Sequence, residues 1–161
     1  MTWNKAQLVD LWRECLREKL DGLQRGRDSA RAGTRVDGDH RPENRGERAS
    51  VTSQGYLAHG LAQRIAELQQ SLTQLDDMGC ARRERVRVGA VVQVEGDDGH
   101  RSWLAVFPGG DATVLRQEER SLRVLSATSP LARALSGLAA GDSVEVDQGG
   151  EDAEFEVLTV L

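Results

Sequence analysis

The sequence predicts an α+β protein in two parts: an N-terminal antiparallel coiled-coil hairpin over residues 1–78, with its tip near 33–44, and a small antiparallel sheet domain with one short helix over 79–161. Three observations carry this. Apolar residues recur at three- and four-residue steps through the first half, a Gly- and Pro-bearing stretch interrupts them, and past Gly79 the pattern changes to short valine-rich runs divided by Gly/Asp turns. At 161 residues and 39% hydrophobic content, two small units are a better fit than one large core.

In the first helix Leu8, Leu11, Trp12, Cys15, Leu16, Leu20 and Leu23 form one stripe, and a more polar continuation runs to Ala32 across Gly22 and Gly26. The stretch Gly33 to Pro42 then ends the helix and reverses the chain, and Pro42 suits the first turn of a second helix. There Leu61, Ile65, Leu68, Leu72 and Leu75 step by 4, 3, 4 and 3, with Gln54 and Ala58 extending the register backwards, which is an a/d seam. Two such helices facing one another give arms of about 30 residues, reaching about 45 Å. Trp3 and Trp12 are expected to pack at the hairpin base.

Past Gly79 strands are expected at Val86–Val94, Arg101–Phe107, Thr113–Leu115, Leu122–Ser126, Ser143–Asp147 and Glu154–Leu161. One helix, Pro130–Leu138, interrupts them, with Ser129 as its N-cap. Cys15 and Cys80 have neither CxxC spacing nor a His/Cys neighbourhood and are expected as reduced packing thiols. His40, His59 and His100 are scattered and make no ligand set, and no nucleophile-base arrangement has a recognisable spacing.

Charge narrows the partner. The net charge is −5; residues 1–78 carry 12 basic and 12 acidic side chains, residues 79–161 carry 9 and 14. An acidic second half repels duplex DNA and fits a protein with a basic surface better. The absence of a long apolar run, and an N-terminus that leads straight into a charged helix, predict a cytoplasmic protein with no membrane partner.

The run Ser129-Pro130-Leu131-Ala132-Arg133-Ala134-Leu135-Ser136-Gly137, followed by Gly141-Asp142 and the strand Ser143-Val144-Glu145-Val146, resembles the C-terminal signature of the GreA/GreB transcript-cleavage factors. The closing Phe155-Glu156-Val157-Leu158 looks like the family's last strand. The resemblance implies a coiled-coil hairpin joined to an FKBP-like domain. It also implies bacterial RNA polymerase as partner, with the hairpin in the secondary channel and nascent RNA met only there. The protein would then be a monomer and no enzyme in itself, holding no cofactor of its own and sharing the polymerase's Mg²⁺.

The family's tip motif reads approximately Gly-Asp-x-x-Glu-Asn, and this chain has Gly38-Asp39-His40-Arg41-Pro42-Glu43-Asn44. Asp39 and Glu43 therefore correspond to the acids that assist the polymerase magnesium, yet they stand four apart instead of three. Pro42 puts Asp39 in the turn, and a metal site tolerates little misplacement. The competing assignment for both is ordinary: Asp39 caps a helix and Glu43 complements its dipole.

Arginine is dense around the tip, 7 against 5 acids over residues 25–48. Arg35, Arg41, Arg45 and Arg48, with Asn44, are candidates for contact with RNA or polymerase, or else form a solvated helix surface. Three functional readings remain beside cleavage stimulation: a channel-binding regulator or inhibitor that does not stimulate cleavage, a peptidyl-prolyl isomerase, and a coiled-coil adaptor. The isomerase would need an aromatic pocket built from Trp103, Phe107 and Phe155, which a sheet would ordinarily use for its core.

Overall fold

The computed structural model describes residues 2–34 and 45–161. Two long helices, α1 (Lys5–Thr34) and α2 (Arg45–Met78), precede strands β1 (Val91–Gly96), β2 (Arg101–Val106), β3 (Val114–Gln117) and β4 (Arg120–Leu125). Helix α3 (Pro130–Leu135) and strands β5 (Ser143–Asp147) and β6 (Asp152–Val160) complete the chain. The whole divides into two compact units, an arm unit of Glu14–Gln70 and a sheet unit of Met1–Arg13 with Ser71–Leu161.

In the arm unit the apolar stripes face each other. Leu16, Ala30, Ile65 and Leu68 are buried, and Gln54, Ala58 and Leu61 are half-buried in the register that their spacing sets. Gly26 faces Leu61: a Cβ at residue 26 would lie 3.6 Å from Leu61 Cδ1.

In the sheet unit six strands run in the order β3-β4-β2-β1-β6-β5. The expected antiparallel sheet is in fact mixed, because β2 and β4 pair in parallel, Val106 beside Leu125. The chain leaves β2, passes over the end of β4 to lay down β3 one place further out, and returns through a tight hairpin to fill the space between. Phe107 N donates to Leu125 O (3.0 Å) and Ala112 N to Val124 O (2.8 Å), so the connection wraps the β4 backbone. At the crossing stands Gly110, where a Cβ would lie 2.1 Å from the carbonyl carbon of Leu125. Only glycine fits.

Both faces of the central strands are covered. Val92, Val94, Leu104, Val106 and Leu125 pack with Ala132 and Leu135 of α3, while Val91, Ala105 and Val124 alternate with them and are equally buried. The first turns of α1 belong to this unit. Trp12 is fully buried and its Nε1 donates to Pro108 O at 2.8 Å. Trp3 meets the Trp103 ring edge-on at 5.8 Å, with the Arg120 guanidinium over its own face.

Several boundaries shift for stated reasons. Strand β1 starts at Val91, not Val86, because Val86 pairs elsewhere: its N donates to Leu138 O, and Gly137 N donates to Val86 O. The same pairing halts α3 at Leu135 instead of Leu138, where Gly137 takes a φ of 85°. Leu11 is 40% exposed, since three residues on from Leu8 falls short of a full turn and leaves it on the flank. Cys80, expected to pack, is exposed, and both cysteines are free thiols.

Candidate functional site

The tip acids Asp39 and Glu43, and with them Arg35, Arg41 and Asn44, lie outside the described residues. Arg45 and Arg48 are described. Both are exposed in the opening turns of α2, and the Arg48 carbonyl accepts from Thr52 Oγ1 at 2.9 Å. Glu47 occupies the first turn of α2 and Arg31 the last turn of α1, where each charge complements its helix dipole. Arg27 pairs with Asp28 at 3.3 Å, while Arg25 is exposed. The described part of the arm thus presents Arg25, Arg45 and Arg48 to solvent.

The signature residues of the sheet unit do structural work. Ser129 Oγ accepts from Ala132 N at 3.3 Å and caps α3, Pro130 fills its first position, and Leu135 enters the core with Leu131 against it. Asp142 Oδ2 then accepts from Ala139 N at 2.8 Å, closing the turn through Gly141 into β5. Ser129, Pro130 and Asp142 are accounted for by capping and turn geometry.

Aromatic side chains follow the same logic. Phe107 is fully buried, Phe155 packs against the core and Trp103 meets Trp3. Among the described residues, no group of three His, Cys, Asp or Glu side chains is placed to hold a metal ion, and His59 and His100 are both exposed. No helix there is long and apolar enough to cross a membrane.

One constellation escaped the sequence reading. Lys5 Nζ donates to Ala81 O at 2.6 Å and Leu161 O at 3.1 Å. Burial, and after it the nearby Arg83 guanidinium, push the Lys5 amine down to about 8 from its ordinary 10.5, with Arg87 adding to the shift and Cys80 opposing it. Residue 5 and residues 83–87 are far apart in sequence, so no local pattern joins them. The density of arginine in Ala81-Arg82-Arg83-Glu84-Arg85-Val86-Arg87 was the available signal.

Residues 81–161, half of the chain, match the family model described as transcription elongation factor, GreA/GreB, C-terminal. Among solved structures the chain is similar to the GreA factor homolog 1 (Gfh1) of Thermus thermophilus, at 20% identity over 96% of this chain and 93% of that one, with a TM-score of 0.40. A second structure of the transcription factor Gfh1 gives 22% identity over 99% and 95% at the same TM-score. Gfh1 of Thermus aquaticus gives 20% over 96% and 92%, again at 0.40. No curated protein matches the chain. On the strength of the match across its sheet domain, the chain belongs to the GreA/GreB family of transcription elongation factors.

Proposed function

We propose that this protein binds bacterial RNA polymerase, places its helical arm in the secondary channel and regulates elongation without stimulating transcript cleavage. Family membership supports the partner, and the arm supplies an element long enough to reach into a channel. The observation that carries the non-cleaving reading is the tip spacing, Asp39 to Glu43 with His40, Arg41 and Pro42 between them.

Cleavage stimulation requires two carboxylates to deliver oxygen ligands to one loosely held Mg²⁺ of the polymerase, which then activates water against a phosphodiester. The inserted residue changes the spacing of the two acids from three to four, Pro42 interrupts the sequence between them, and a metal site tolerates little misplacement. In this reading Asp39 and Glu43 occupy the channel without completing the metal site. Arg35, Arg41, Asn44, Arg45 and Arg48 contact polymerase or the phosphates of extruded RNA.

Binding to elongation complexes tests channel occupancy. Extruded RNA fills the secondary channel of a backtracked complex, so a fluorescein-labelled full-length protein should bind active complexes more tightly than deeply backtracked ones. Equal affinity for the two would argue that the arm does not enter the channel.

A further inference from the structure

Several arginines elsewhere in the chain have carboxylate partners. Arg13 pairs with Asp76 at 3.0 Å, Arg17 with Glu14 at 3.4 Å, Arg64 with Glu67 at 2.8 Å and Arg101 with Glu95. The segment 82–87 of the sheet unit brings four arginines together. Arg83 donates to Met78 O (3.1 Å) and Arg85 to Gly137 O (2.9 Å), whereas Arg82 and Arg87 are exposed and their guanidiniums make no hydrogen bond among the described residues. None of the four has a carboxylate within ion-pair distance among the described residues. The Lys5 amine, depressed first by burial, is lowered further by Arg83 and Arg87. The four arginines sit in a half of the chain where acids outnumber bases 14 to 9.

The surface around these guanidiniums is concave. Arg82, Arg83 and Glu84 line a hollow of about 630 Å³ with Ala139, Ala140 and the end of β6. Arg82, Arg85 and Arg87 line a second of about 480 Å³ with Ser136 and Gly137. The two share Arg82 and Glu84. Strand β6 is open here: its pairing with β5 ends at Glu156, Val157 bonds to Asp142 O, and Leu158–Val160 have β1 on one side alone. Small side chains at Ala139 and Ala140 leave room for a backbone.

We propose that this groove, bounded by Arg82–Arg87, the Ser136–Ala140 turn and the open end of β6, docks a short acidic peptide segment in extended conformation. Its carboxylates meet the guanidiniums and its backbone lies beside Leu158–Val160. A peptide fits better than a nucleic acid strand. A polyanion long enough to continue past the patch runs onto the exposed carboxylates of Asp142, Glu154 and Glu156, whereas a segment of a few residues stops short of them.

The inference does not depend on the arm, and its test needs no polymerase, so either reading can fail alone. Fluorescence anisotropy of a fluorescein-labelled peptide of alternating Glu and Val is followed as full-length protein is added, with labelled oligouridine in a parallel titration. Saturable peptide binding is expected, weakened about tenfold or more by Arg82→Glu with Arg87→Glu and unchanged by Arg116→Glu with Arg123→Glu on the exposed faces of β3 and β4. The Arg82 and Arg87 side chains are exposed and make no hydrogen bonds among the described residues, so the pair leaves the fold intact. No peptide binding, an equal loss in both variant pairs, or tighter binding of oligouridine than of peptide would each overturn the proposal.

Discussion

The arm unit and the sheet unit bury their side chains by different means. A two-helix ribbon can hide one stripe per helix, and among the described residues of the arm only Leu16, Ala30, Ile65 and Leu68 are buried. Tyr56 and Leu57 stay largely exposed. Gly22, Gly55 and Gly60 lie within its helices with nothing inside 4 Å of where a Cβ would sit, so each weakens its helix with no packing in return. In the sheet unit the central strands are covered on both faces, and the glycine at 110 is there because backbone passes over backbone. The sheet unit is therefore built to hold a fixed surface, and the arm to remain deformable.

The sharpest way to break that contrast is Gly110→Ala. A Cβ at 2.1 Å from the Leu125 carbonyl carbon forces the crossing open, and a loss of about 3 kcal/mol or more is expected in thermal or denaturant unfolding of the sheet unit. An unchanged Tm would mean that the crossing is loose. Trp12→Ala is comparable in size: it empties a fully buried site and leaves Pro108 O without its donor, costing about 3–5 kcal/mol. Chemical denaturation would show the midpoint fall. In the arm the sign reverses. Gly22→Ala, Gly55→Ala and Gly60→Ala should each stabilise the helices by about 1 kcal/mol. Hydrogen exchange would then slow across residues 14–34 and 45–70 while β1, β2 and β4 stay unchanged.

The smallest effect concerns pH. The Lys5 amine titrates near 8 in the fold and near 10.5 unfolded. Below about 8 both states carry the proton and the charge-burial penalty is fully present. Between these values the unfolded chain holds the extra proton, so stability rises with pH. Wild type should gain on Lys5→Met as pH increases through that window, by a modest amount because the amine is partly solvated. Parallel unfolding curves at pH 7 and pH 10 measure it, and a difference that does not move would remove Lys5 from the positive cluster.

What the sequence made legible was local. Ile65, Leu68 and Leu75 are buried because a strict 4-3-4-3 spacing leaves a helix no other stripe to bury. Ser129-Pro130 marked the start of α3 because capping involves only adjacent residues. The end of that helix and the start of β1 were misplaced together, since both are decided by Val86 pairing with Gly137 and Leu138 some fifty residues away. The parallel β2/β4 pair was equally hidden, because alternation shows that a strand exists and not which neighbour it takes. At the candidate sites the tip spacing could be counted directly, while the meeting of Lys5 with Arg83 and Arg87 needed the fold.

On the proposed function, the arm occupies the polymerase channel without completing a metal site at its tip. The most direct measurement is the rate at which 3′-labelled RNA shortens in halted, backtracked elongation complexes at a protein concentration where binding is demonstrated. No acceleration over polymerase alone is expected, with Asp39→Ala and Glu43→Ala indistinguishable from wild type. Acceleration by wild type that is lost in both variants would contradict it and establish a cleavage-stimulating factor.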